Sequence, residues 1–177
     1  MATDERVGGY ADALLAVATA EDDVATIEDE LFTFGQALRG NEDLRSTLSD
    51  AQISPATRQQ VVEDLLERSA SPATIAVVSM VVGAGRGADL PAIIDSMLEK
   101  SAASRNRAVA RVRSAIELSD DQQTRLARAI TSATGTEVDV RVVIDPSVLG
   151  GLITELGDDI IDGSVRTRLK QMRESFS

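Results

Sequence analysis

A chain of 177 residues with 18 Lys+Arg, 29 Asp+Glu, one Tyr, three Phe and neither His nor Cys excludes several chemistries at once. It has no disulfide framework and no zinc finger or histidine-ligated metal, and serine–histidine and cysteine–histidine nucleophiles are ruled out. The net charge of −11 disfavours nucleic acid and anionic membrane surfaces as partners.

An apolar fraction of 43% is enough for a packed core. Acid–base work would fall to carboxylates, Lys100, Lys170 or Tyr10, a thin inventory that favours binding over reaction. The leading Met-Ala-Thr-Asp-Glu-Arg lacks the basic-then-apolar pattern of a signal peptide. The longest nearly uncharged stretch, Ser69 to Gly85, is shorter than the ~20 apolar residues that span a bilayer. These features predict a soluble intracellular chain with no membrane insertion.

In chain order, the first hundred residues read as helices. Val7, Tyr10, Ala11, Leu14 and Ala18 predict a helix over about 5–19. Val24, Ile27, Leu31, Phe34 and Leu38 place a second over 22–39. A short helix is expected over 42–49. Ser54-Pro55 and Ser71-Pro72 each read as an N-cap serine followed by a first-turn proline. The first opens a helix with Val61, Val62, Leu65 and Leu66. The second opens one that runs through Val82 and is apolar nearly all round, which suits the centre of a bundle or a partner interface. Gly83, Gly85 and Gly87 break it, and Leu90, Ile93, Ile94, Met97 and Leu98 mark a sixth helix.

After Arg105 the period changes. From Arg107 to Ile116, small or apolar residues at even positions oppose Arg107, Arg111 and Arg113, the pattern of a half-exposed strand. Ser119-Asp120-Asp121-Gln122 is a capping box that opens a helix ending at Gly135. Val138, Val140, Val142 and Ile144 make the clearest strand. Leu152–Leu156 and Ile160-Ile161 supply two more around a Gly157-Asp158 turn. A last helix starts near Asp162. The fold expected is α+β, a six-helix bundle over 1–104 followed by a small β-α-β-β-β-α domain over 105–177. Charge divides at the same place: residues 1–104 hold 7 basic and 18 acidic side chains, residues 105–177 hold 11 of each.

Three local patterns weigh less than they first suggest. Gly83-Ala84-Gly85-Arg86-Gly87 follows a helix and lacks a Lys-Ser/Thr pair, so it reads as a helix terminator and not a phosphate loop. Asp158, Asp159 and Asp162 would place apolar Ile160 and Leu169 at calcium-ligand positions, so they read as a turn and a helix cap. Arg105, Arg107, Arg111 and Arg113 carry no interleaved aromatics and read as an exposed strand face, with an acidic protein segment as the alternative partner.

The run Asp145-Pro146-Ser147-Val148-Leu149-Gly150-Gly151-Leu152, then Gly157-Asp158, Asp162-Gly163-Ser164-Val165 and Arg168-Leu169, resembles the C-terminal signature of the delta-subunit family of bacterial F-type ATP synthases, counterparts of the mitochondrial oligomycin-sensitivity-conferring protein. Tyr10-Ala11-x-Ala13-Leu14, Arg86, Leu90-Pro91, Val112-Arg113-Ser114-Ala115 and Leu118-Ser119 fit the same family over nearly the whole length. Gly9 departs from it, where many relatives carry a basic residue.

The resemblance implies a non-catalytic stator subunit, one copy per complex, on the cytoplasmic face of the cell membrane and without cofactor or metal. Its helical domain would hold the N-terminal helices of the alpha subunits, and its C-terminal domain the end of the b-type peripheral stalk. A groove between the first and fifth helices is implied, with Tyr10, Ala13, Leu14, Val17, Val77, Met80 and Val81 as its candidates. Gly150, Gly151, Gly157, Asp158, Asp162, Ser164 and Leu169 are the signature positions, and Val165, Leu169 and Met172 the candidate stalk contacts. Two other readings compete: a free-standing helical adaptor or regulator, and a carboxylate enzyme built on Asp158, Asp159 and Asp162.

Overall fold

The computed structural model describes residues 2–148, 150–157 and 159–162. Six α-helices come first: α1 (Ala2–Ala20), α2 (Val24–Gly40), α3 (Glu42–Ser49), α4 (Pro55–Leu66), α5 (Pro72–Gly83) and, after a 3-10 turn at Gly87–Asp89, α6 (Leu90–Ser104). Then follow β1 (Ala108–Ser114), α7 (Asp120–Thr134), β2 (Val138–Ile144), β3 (Leu152–Leu156) and β4 (Asp159–Asp162). The chain divides into two compact units, Met1–Ser101 and Ala102–Ser177. The last helix expected after Asp162 lies outside the described residues.

The helix starts follow from local chemistry. Asn41 caps α3 through the Leu44 amide, and Ser54 and Ser71 cap α4 and α5 through the amides of Thr57 and Thr74. A proline follows each serine, where its missing N–H costs nothing. The cap of α5 is reinforced from a distance. Glu30 on α2 accepts the Ser71 amide at 2.9 Å and its hydroxyl at 2.8 Å. Burial opposes ionisation of Glu30, but bonds from Thr74 and Ser71 outweigh it and leave its pKa lowered. The carboxylate therefore sits charged at the positive end of α5.

In the helical unit α5 packs against α1, α2 and α4. Its Val77, Val78, Val81 and Val82 are buried, with Leu14, Leu31, Leu38, Val62, Leu90, Ile93 and Met97 around them. Most of the apolar surface of α5 thus lies in the core, while Met80 stays exposed. The end of α5 is a Schellman motif: Arg86 N–H bonds to Val81 O, Gly85 N–H bonds to Val82 O, and Gly85 has φ +74°. Gly87 serves packing. A Cβ there would lie 2.0 Å from the carbonyl oxygen of Leu48 on α3.

In the second unit the strand order is β2-β1-β3-β4. β1 and β2 are parallel, joined by the α7 crossover, and β3 runs antiparallel to both β1 and β4. Ala110, Val112 and Ser114 of β1 are buried, and the arginines between them are half-buried on the opposite face. Ile130 of α7 closes a small core with Ala110 and Val138, flanked by Leu126, Ala127, Val140 and Leu156. The capping box at Ser119 and Gln122 is formed, and α7 ends on Gly135 at φ +74°.

Candidate functional site

α1 and α5 are neighbours, so the candidates on them belong to one region of the helical unit. Their burial separates them into two groups. Leu14 and Val81 are fully enclosed and Val77 nearly so, which makes all three part of the packing between helices in the chain by itself. Tyr10 and Val17 are half-buried, Ala13 is exposed and Met80 is 44% exposed. Of the candidates, these four keep surface open to solvent.

The other side of α1 is fixed by a contact that sequence spacing could not show. Lys100 on α6 donates to the Gly8 carbonyl at 2.9 Å and pairs with Asp12 at 2.5 Å. Gly9, one residue on, is exposed, and a Cβ on it would meet nothing within 4 Å. Among the described residues nothing therefore crowds a side chain there. Gly9→Ala is expected to stabilise the isolated chain by about 0.5–1 kcal/mol through helix propensity. Thermal melts monitored by circular dichroism check this: a higher midpoint is expected, and a lower one would show that the glycine carries an internal constraint.

In the second unit the signature loop is built on conformation. Gly150 and Gly151 have φ of +67° and +82°, a pair of left-handed residues that side chains resist. Just before them Asp145 ties the loop to β1. It accepts the Ser147 amide at 2.8 Å and the Arg113 Nε at 3.0 Å, with a second close bond from Arg113 Nη2. The Ser147 side chain first, then Arg113 and the Ser147 amide, lower the Asp145 pKa to about 2. A depressed folded-state pKa gives stability that is present above the unfolded value near 3.8 and is lost as pH falls towards 2. Acid titration followed by near-neighbour NMR shifts is expected to show the loop loosening in that window, and Asp145→Asn is expected to abolish the transition. An unchanged acid transition in the variant would exclude Asp145 as its source.

The arginine run is an ion-paired strand face. Arg105 and Arg107 each reach Asp139 on β2 at 3.0 Å, and Arg113 holds Asp145. One feature escaped sequence reasoning. A cavity of about 550 Å³ opens where β1 ends and β3 begins, lined by Ala115, Ile116, Leu118, Arg125, Gly150 and Leu152 among others. Ile116 at its edge is 68% exposed. The double glycine borders this cavity, which no periodicity predicts. Gly157 sits in the β3–β4 turn at φ +58°, and Asp162 closes β4. Asp158, Ser164, Val165, Leu169 and Met172 lie outside the described residues, or their side chains do. Among the described residues there is no cluster of three or more metal-ligating side chains, and no helix is long and apolar enough to cross a membrane.

The fold is similar to that of a solved structure. A chain of the cryo-EM structure of the Toxoplasma gondii mitochondrial ATP synthase hexamer matches with a TM-score of 0.57 and 20% identity, over 96% of each chain, a likeness of fold. The family model of the ATP synthase delta (OSCP) subunit matches residues 7–176, and the chain belongs to that family. It is 37% identical over 166 residues to ATP synthase subunit delta of Nocardia farcinica, covering 94% of this chain and 61% of that protein. It is 35% identical over 173 residues to the Salinispora tropica protein of the same name, covering 98% and 62%. The Streptomyces avermitilis protein is 37% identical over 151 residues, covering 85% and 55%. The chain thus spans about three fifths of the length of these curated relatives.

Proposed function

We propose that this chain is a non-catalytic stator component of an F-type ATP synthase. It joins the catalytic head to the peripheral stalk, so that proton-driven rotation is coupled to ATP synthesis. The observation that carries the reading is the family match over residues 7–176, which includes both compact units. The side-chain chemistry agrees with it, since a link under torque needs rigid elements and extended contact areas and no reactive group. On this reading the chain is peripheral to the membrane on its cytoplasmic face, present once per complex, and uses no cofactor or nucleic acid.

The helical unit takes an alpha-subunit N-terminal helix on the face that Tyr10, Ala13, Val17 and Met80 offer. Small Ala13 admits close approach, and Met80 adapts its shape to the incoming helix. The second unit takes the end of the b-type stalk, with Val165, Leu169 and Met172 as contacts. Of the signature positions, Gly150, Gly151 and Gly157 serve the backbone of this unit through their positive φ angles. Calorimetric titration of the chain with an alpha N-terminal peptide and a b C-terminal peptide tests both halves. Each is expected to bind with one-to-one stoichiometry, and each is expected to bind undiminished when the other is already bound. Binding of neither peptide would favour a free-standing adaptor with other partners.

A further inference from the structure

The packing of α1 begins late along the helix. Ala11, Leu14 and Ala18 are buried, whereas Glu5, Arg6 and Gly9 are exposed and Val7, Gly8 and Tyr10 only half-buried. Two consecutive glycines, Gly8 and Gly9, stand in this same stretch, and glycine is the poorest helix former after proline. Neither burial nor backbone preference holds the stretch before Ala11, which makes it the part of α1 most ready to open.

One side chain from another helix spans this weak stretch. Lys100 Nζ on α6 donates to the Gly8 carbonyl at 2.9 Å and to the Asp12 carboxylate at 2.5 Å, so its two partners lie one turn apart on either side of Gly9. An ammonium has three donors and serves both acceptors at once. At about 100° per residue, Gly8 and Asp12 stand roughly 150° around the helix from the mean direction of Tyr10, Ala13 and Val17. Lys100 therefore holds the flank of α1 away from those three residues, out of reach of a helix seated on them.

We infer that Lys100 is a positioning residue: it clips the first half of α1 into helix across Gly8-Gly9 and thereby holds Tyr10 in place for the partner. The assignment rests on the reading of the α1–α5 face as the seat of an alpha-subunit helix. Without the clip the stretch opens while Ala11, Leu14 and Ala18 stay packed, and only chains in which it is helical present Tyr10 correctly. Three variants separate the possibilities. Lys100→Met keeps the aliphatic stem and removes the donors, and Lys100→Arg keeps charge and donors. Lys100→Met with Gly9→Ala lacks the clip but restores helix preference where a Cβ meets nothing within 4 Å.

Amide hydrogen exchange and anisotropy titration with a labelled alpha N-terminal peptide are run on the full chain and the three variants. Lys100→Met is expected to exchange about tenfold faster at residues 8–12, from the loss of one charged hydrogen bond and one exposed ion pair, with the amides of α2 and α5 unchanged. Its peptide affinity is expected to fall about threefold, as when a third of the chains remain competent. Lys100→Arg and the double variant are expected to recover both values. Unchanged exchange at 8–12 in Lys100→Met would overturn the clip. An affinity loss that persists in the double variant after its exchange has recovered would overturn positioning and make Lys100 a partner contact. Should the parent bind no peptide, the reading of the face falls and the part played by Tyr10 with it, while exchange still decides whether Lys100 clips α1.

Discussion

Replacing Gly87 with alanine is expected to destabilise the helical unit by about 3 kcal/mol, at the upper end of what overpacking costs. The added Cβ would sit 2.0 Å from the Leu48 carbonyl oxygen and 2.6 Å from its carbonyl carbon. These are backbone atoms of α3, so no side-chain rotation relieves the contact, and the turn between α5 and α6 must move away from α3. For a unit of about a hundred residues this corresponds to a fall in midpoint of roughly 12–24 °C. Gly83→Ala makes an instructive contrast. Its Cβ would meet Gln59 Nε2 at 2.6 Å, the far end of a flexible side chain whose bond to the Ser79 carbonyl is 3.2 Å. Loss of that bond is worth about 1 kcal/mol. Differential scanning calorimetry of both variants ranks the two effects, and a Gly87→Ala protein as stable as the parent would refute the close approach of α3.

Met80→Glu is expected to weaken binding of the alpha N-terminal helix at least a hundredfold with little change in thermal stability. Met80 is 44% exposed and its neighbours in the core are Val77 and Val81, so the chain loses little by the change while a partner meets a charge in an apolar contact. Leu14→Asp behaves in the opposite way. Leu14 is fully enclosed, and a carboxylate there is expected to unfold the unit, so any loss of binding by that variant reports folding. Anisotropy titrations with melts on the same samples separate the two. Full affinity in folded Met80→Glu would remove the α1–α5 face from the account.

Much of the helical unit is legible in the sequence because its signals are local. Ser54-Pro55 and Ser71-Pro72 mark helix starts through the geometry of one turn, and the 3-4 spacing of Ile27, Leu31, Phe34 and Leu38 fixes the inner stripe of α2. The alternation in β1 and β2 is equally local. What spacing cannot show is which apolar residues of two apolar helices face each other. Leu14 and Met80 look alike in a pattern, yet one is enclosed and the other half open. Lys100 reaching Gly8 and Asp12, Glu30 capping α5, and the cavity beside Gly150 all depend on residues far apart in the chain. The signature glycines are recognisable by resemblance, and the left-handed φ angles of Gly150, Gly151 and Gly157 give the physical reason for all three.

Reconstitution of the link itself bears most directly on the central claim. A catalytic head stripped of its delta subunit, the soluble part of the b-type stalk and this chain are combined and sedimented together. The stalk is expected to sediment with the head only when the chain is present, with one copy of the chain per head. A stalk that sediments equally without the chain, or stays in solution despite it, would contradict a bridging role.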